Sequence, residues 1–219
     1  MTEKLNRLKR LTKAGGNLEI KSMKGLPLLQ SLLFELKKLP GVGPRSAERL
    51  VQHFLKTGDQ EQLSSLLLEL KRKIKKCKEC FNFTQEKELC SFCEDSSRNP
   101  ELICVVEQAF DVFRVESCGI FKGHYHVLHG VLSPLNQIHP KDLTLKQLKD
   151  RIYKKKFKEL ILAIDSDLEG DTTALYIMEN FKDLDVKISR PALGIPLGSD
   201  LSFVDDKTLG QAIENRSYF

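Results

Sequence analysis

The sequence carries two closely spaced cysteine pairs, Cys77-x-x-Cys80 and, after nine intervening residues, Cys90-x-x-Cys93. Each pair can place two thiolates on one turn, and the short separation lets four sulfurs meet tetrahedrally around Zn²⁺. The pattern offers no fifth ligand and no open position, so the site it predicts is structural. A segment with so little apolar material would depend on the metal for its fold. A redox dithiol is the competing reading, disfavoured because the pairs come linked. Of the other two cysteines, Cys104 lies in an apolar run and is expected in the core, while Cys118 is followed by glycine.

A second group is basic and glycine-rich. The stretch Leu39-Pro-Gly41-Val42-Gly43-Pro-Arg45-Ser-Ala-Glu-Arg49-Leu50 predicts a helix, a tight turn and a second helix. Glycines at 41 and 43 leave the peptide groups around Val42 without side-chain cover. A helix start with free N–H groups favours a phosphate. Arg45 and Arg49 lie one turn apart on one face, where both could reach the same nucleic-acid backbone. The plain alternative is an ordinary helix hairpin.

A third group is acidic: Glu107 closes Leu102-Ile-Cys-Val-Val106, and Asp165 and Asp167 follow Leu160-Ile-Leu-Ala-Ile164. Carboxylates just beyond the ends of parallel strands face the crevice where open α/β sheets bind ligands. Three such groups would suit Mg²⁺. Asp167 also suits a simpler role, as the cap of the helix that follows.

The elements that must position these groups follow from periodicity. Helices are predicted over Leu28–Leu39, Arg45 to about Thr57 and roughly Glu61–Lys75. Strands are predicted over Leu102–Val106, Tyr125–Leu128 and Leu160–Ile164, with helices over Leu143–Tyr153 and Asp171–Phe181. The apolar runs suit strands buried on both faces, and their alternation with helices suits an open, mostly parallel sheet. The fold class is therefore α+β and multidomain. Its parts are an N-terminal extension (1–25), a helical domain (26–76), a four-cysteine finger (77–98), a sheet domain (99–190) and a C-terminal strand-helix tail (191–219). The Lys-rich residues 1–24, ending in Gly15-Gly16-Asn17, are expected to be poorly ordered, with room for a short helix.

Charge divides along the same lines. Residues 1–76 hold 17 Lys/Arg against 7 Asp/Glu, a balance of +10, whereas residues 77–219 hold 18 against 23, a balance of −5. A basic front suggests a polyanionic partner and an acidic rear a different task. No apolar run approaches the roughly 20 residues of a bilayer span. Met1–Lys13 alternates Leu with Lys and Arg and lacks the apolar core of a signal peptide, so a cytoplasmic, membrane-free protein is expected.

In this order, the motifs resemble the RecR family of recombinational-repair proteins, which join a helix-hairpin-helix, a four-cysteine zinc finger and a Toprim sheet domain. The likeness also runs through Gly123-His-Tyr-His-Val-Leu128, Leu132-Ser-Pro-Leu135, Glu169-Gly170 and Gly194-Ile-Pro-Leu-Gly198, covering about residues 28–216. It implies a ring-shaped homotetramer that encircles DNA, binds RecO and RecF, and helps load RecA onto gapped DNA, as a nucleoid-associated scaffold without catalytic residues. The last segment would serve oligomerisation, and the acids would contact a partner or Mg²⁺. Asp165 departs from the family, where Asn is common, and keeps a second reading open: a metal-dependent Toprim nuclease.

Overall fold

The computed structural model describes residues 25–192 and 194–216. The expected extension lies outside the described residues except for Gly25. The chain divides into two compact units between Lys71 and Arg72.

The first unit contains helices α1 (Pro27–Leu36), α2 (Pro44–Thr57) and most of α3 (Gln60–Lys73). Both α1 and α2 open with proline, whose fixed φ suits a first helical position and whose missing N–H costs nothing there. The core is small: Leu33, Ala47 and Val51 are buried, with Leu29, Leu36 and Val42 packed around them. Helix α1 stops at Leu36, three residues before the expected end, because Leu39 precedes Pro40 and is biased away from helical backbone. Helix α3 buries nothing, and its leucines 63, 66, 67, 68 and 70 are exposed.

The second unit begins with an antiparallel hairpin, β1 (Ile74–Lys76) and β2 (Phe83–Gln85), followed by the one-turn helix α4 (Ser91–Glu94). Sequence periodicity assigns Ile74 and Lys75 to the preceding helix; the structure places them in β1. Then come β3 (Asn99–Val106), α5 (Ala109–Ser117), β4 (Gly123–Val127), α6 (Leu145–Lys155), β5 (Glu159–Ala163), α7 (Leu168–Phe181), β6 (Lys187–Ser189) and α8 (Asp206–Glu214). The sheet order is β4-β3-β5-β6 and every pairing is parallel.

Alternation along β3 shows both faces covered. Ile103 and Val105 join Leu148, Ile152, Leu160, Leu162, Ile177 and Phe181, a core built with α6 and α7. Cys104 and Val106 point the other way, into a cluster with Ala109, Val112 and Tyr125 that also takes Phe81 and Phe92 from the cysteine-rich segment. That segment is thus part of the layer covering the sheet. Among the described residues, no helix is long and apolar enough to cross a membrane.

Candidate metal centre and nucleic-acid interface

The cysteine segment gathers its sulfurs by hydrogen-bonding its backbone to itself. Cys77 N–H donates to Asn82 O (2.7 Å), Lys78 N–H to Glu88 O (2.9 Å), and Cys93 N–H to Cys90 O (3.0 Å). Thr84 Oγ1 donates to Leu89 O at 2.9 Å, closing the loop between the pairs. Phe81 takes positive φ (63°), which turns the chain sharply after the first pair. All four Sγ atoms lie within 4.8 Å of one another, with Cys80 and Cys90 sulfurs 3.4 Å apart. Sulfurs bound tetrahedrally at a Zn–S length of about 2.3 Å sit roughly 3.8 Å apart, so the set fits Zn²⁺. Cys77, Cys80 and Cys90 are buried. Thiols this close cannot hold protons independently: their mutual hydrogen bonding favours the thiolate at Cys77 at the expense of its neighbours. A divalent cation resolves that conflict by taking all four as thiolates. Among the described residues this is the one group of three or more such ligands gathered closely enough to hold a metal.

Cys104 is buried in the core as expected, and burial pushes its thiol up to about 12. Cys118 is exposed.

At the helical hairpin, Gly41 has φ +77°, a turn conformation that side chains resist, and Val42 N–H donates to Leu39 O at 3.1 Å. Val42 directs its side chain into the small core. Gly43 is different. Its backbone is extended (φ −81°, ψ 177°), and a Cβ there would meet nothing within 4 Å, so the fold does not require glycine. No side chain caps α2. Arg45 and Arg49 are exposed on its first two turns, and neither forms an ion pair among the described residues.

The three acids are placed near one another, and two of them, Glu107 and Asp167, are committed to backbone. Glu107 Oε1 accepts Asp165 N–H at 2.7 Å, and Asp167 Oδ1 accepts Gly170 N–H at 2.8 Å as the N-cap of α7. Burial raises the Glu107 carboxyl above its usual range, and the charges of Asp165, Asp167 and Asp111 add to that. The turn is tight: a Cβ on Gly170 would stand 2.0 Å from Asp165 O. Glu169 is also taken, by the Ser133 hydroxyl.

Sequence reasoning missed Arg151. It lies on the apolar side of α6 with Leu148 and Ile152, all three buried, and its signal was a cation within a helical apolar stripe. Beside it, His126 is fully buried and edge-on to the Phe81 ring (5.3 Å). Burial, aided by Arg151, pushes the imidazole down to about 3 and keeps it neutral.

Family models match this chain in four consecutive stretches: the RecR helix-hairpin-helix at 29–71, the RecR four-cysteine zinc finger domain at 74–95, the Toprim domain at 101–192 and the RecR C-terminal region at 194–217. A curated relative, the recombination protein RecR of Bdellovibrio bacteriovorus, is 48% identical over 196 residues, covering 86% of this chain and 96% of the relative. The chain belongs to the RecR family. RecR of Deinococcus radiodurans is 46% identical over 196 residues (89% of this chain, 88% of the relative), and that of Streptomyces coelicolor 43% over 191 (86% and 96%). The RecR-type finger matched from residue 74 takes in β1, so the hairpin belongs with the cysteines it supports.

Proposed function

We propose that the chain is a DNA-binding scaffold of recombinational repair that forms a homotetrameric ring, acts with RecO and RecF to load RecA on gapped DNA, and catalyses no reaction itself. The observation that carries this reading is the start of α2. Gly43 stands in open space there, the helix lacks a side-chain cap, and Arg45 and Arg49 are exposed without ion-pair partners among the described residues. A peptide approach of this kind suits a phosphate backbone, single- or double-stranded, without sequence preference. We assign residues 191–219 to self-association; Leu197, Leu201, Phe203 and Ile213 are left exposed there. Zn²⁺ serves structure. Glu107, Asp165 and Asp167 we assign to contact with a basic partner, and the chain to the nucleoid-associated cytoplasm.

Binding of the Arg45→Glu, Arg49→Glu double variant to single-stranded, duplex and gapped DNA tests the reading. Affinity should fall at least about tenfold on all three, with a shallower salt dependence, because phosphate contacts carry no base information. Wild-type binding by the double variant at several salt concentrations overturns it. Incubating wild type with labelled DNA in Mg²⁺ or Mn²⁺ tests the absence of catalysis: nicking that disappears in Asp167→Asn makes the chain a nuclease.

A further inference from the structure

Arg151 is a costly residue for its position. Its side chain is 6% exposed, and a buried guanidinium without compensation is strongly destabilising. Its partners are few. Nη1 donates to Tyr125 O in strand β4, and Nε has no partner among the described residues. Nη2 lies 3.6 Å from Glu79, a carboxylate that also pairs with Lys155 at 2.6 Å. The remaining Nη2 contact is the sulfur of Cys93, at 3.8 Å.

A neutral thiol is a weak acceptor and would leave the cation poorly satisfied. Metal binding changes that. Four thiolates around Zn²⁺ carry a net charge of −2, and the sulfur facing Arg151 becomes an anionic acceptor for a charge-assisted hydrogen bond. The tetrathiolate gains a cation, and the arginine gains a second anionic partner beside Glu79, which it shares with Lys155, and the face of the Phe157 ring. A second link lies beside it: Val127 N–H of β4 donates to Cys80 O (2.8 Å), and just past the strand the His129 side chain bonds Phe81 O through a ring nitrogen (2.9 Å). The first cysteine pair is thus fastened to β4 by backbone, and the second by a guanidinium that also holds β4.

We propose that Arg151 is the outer-sphere charge partner of the metal-bound Cys93 sulfur, and that through it and the Cys80–Val127 hydrogen bond the occupancy of the zinc site sets the order of strand β4. This rests on the zinc reading of the four cysteines. The metal centre is then a stabilising clamp for the sheet domain as well as for its own loop, and Arg151 acts as a positioning residue.

Three measurements test this, after metal analysis of the purified wild type. Arg151→Met should weaken zinc retention against a chromogenic chelator by about 10- to 100-fold, as loss of an outer-sphere partner commonly does. Arg151→Lys, which keeps charge but loses the fork, should recover part of it. In cobalt-substituted protein the sulfur-to-metal absorption should shift in Arg151→Met and stay unchanged in Leu148→Ala, which weakens the same helix without touching sulfur. In the wild type, stripping the metal should raise amide exchange at Val127 and its β4 neighbours at least about tenfold, a result that does not depend on any variant folding. Zinc release within twofold of wild type, with an unmoved cobalt spectrum, overturns the role of Arg151. Unchanged β4 exchange after stripping overturns the coupling. Wild type isolated without stoichiometric metal overturns the zinc reading itself.

Discussion

The four cysteines and the three carboxylates are both sets of metal-ligating residue types at turns beside short elements. The cysteines converge, while two of the three carboxylates, Glu107 and Asp167, each spend an oxygen on a backbone N–H. The difference lies in what each group can do locally. A thiol is a poor hydrogen-bond acceptor, so the finger's N–H groups pair mainly with its own carbonyls, leaving most of the sulfur set free to face inward. A carboxylate is a strong acceptor for the unsatisfied N–H groups of a strand end or helix start, and these claim it first. Spacing therefore predicts a metal site well for cysteine and poorly for aspartate or glutamate.

The comparison breaks first, and hardest, at a cysteine. Replacing Cys90 by serine should leave well under one zinc per chain and collapse the thermal transition of the second unit. Metal-finger binding is worth an apparent ~10–16 kcal/mol, which exceeds the stability of most domains. Full zinc content and an unaltered melting curve in Cys90→Ser would place the site elsewhere.

The carboxylates should show smaller effects of a different kind. Asp167→Ala removes the cap of α7 and should cost about 1 kcal/mol in chemical denaturation, whereas Asp167→Asn, which keeps an acceptor, should cost little. Equal losses from both variants would mean that the charge matters more than the cap.

The smallest effect belongs to Glu107. Its folded pKa is raised, so its ionisation opposes folding. The penalty is absent below the ordinary carboxylate range and grows as pH rises through the raised folded value. Glu107→Gln should match wild type near pH 4 and be slightly more stable at pH 7, by less than about 1 kcal/mol because the group is part-exposed and screened. A rise in wild-type melting temperature with Mg²⁺ that is missing in Glu107→Gln would show the acids gathering a cation after all.

Much of this was legible in the chain. The cysteine spacing located the metal centre, and the runs at 102–106 and 160–164 located the central strands, because burial on both faces demands continuous apolar sequence. Short elements were not legible. Three residues of β1 and three of β6 are too few for periodicity to declare itself, and β1 extends a helix whose Lys-rich end reads as more helix. Asp167 showed its capping role, whereas Glu107 did not, since its N–H partner is 58 residues away. Arg151 was legible only in part: a cation within the apolar stripe of Leu148 and Ile152 marks a buried charge, but its meeting with Cys93 across 58 residues does not show in the sequence.

The six cysteines also sort themselves by chemical temperament. Cys104 is sealed in the core with its thiol pushed up to about 12, Cys118 is open to solvent, and the remaining four are tied up whenever the cation is present. A thiol-specific reagent therefore meets one quick target on the loaded protein, and four more once a chelator has emptied the finger. The chain carries its own occupancy gauge, and a dye placed on Cys118 at the end of α5 marks one known point of the molecule without any engineering.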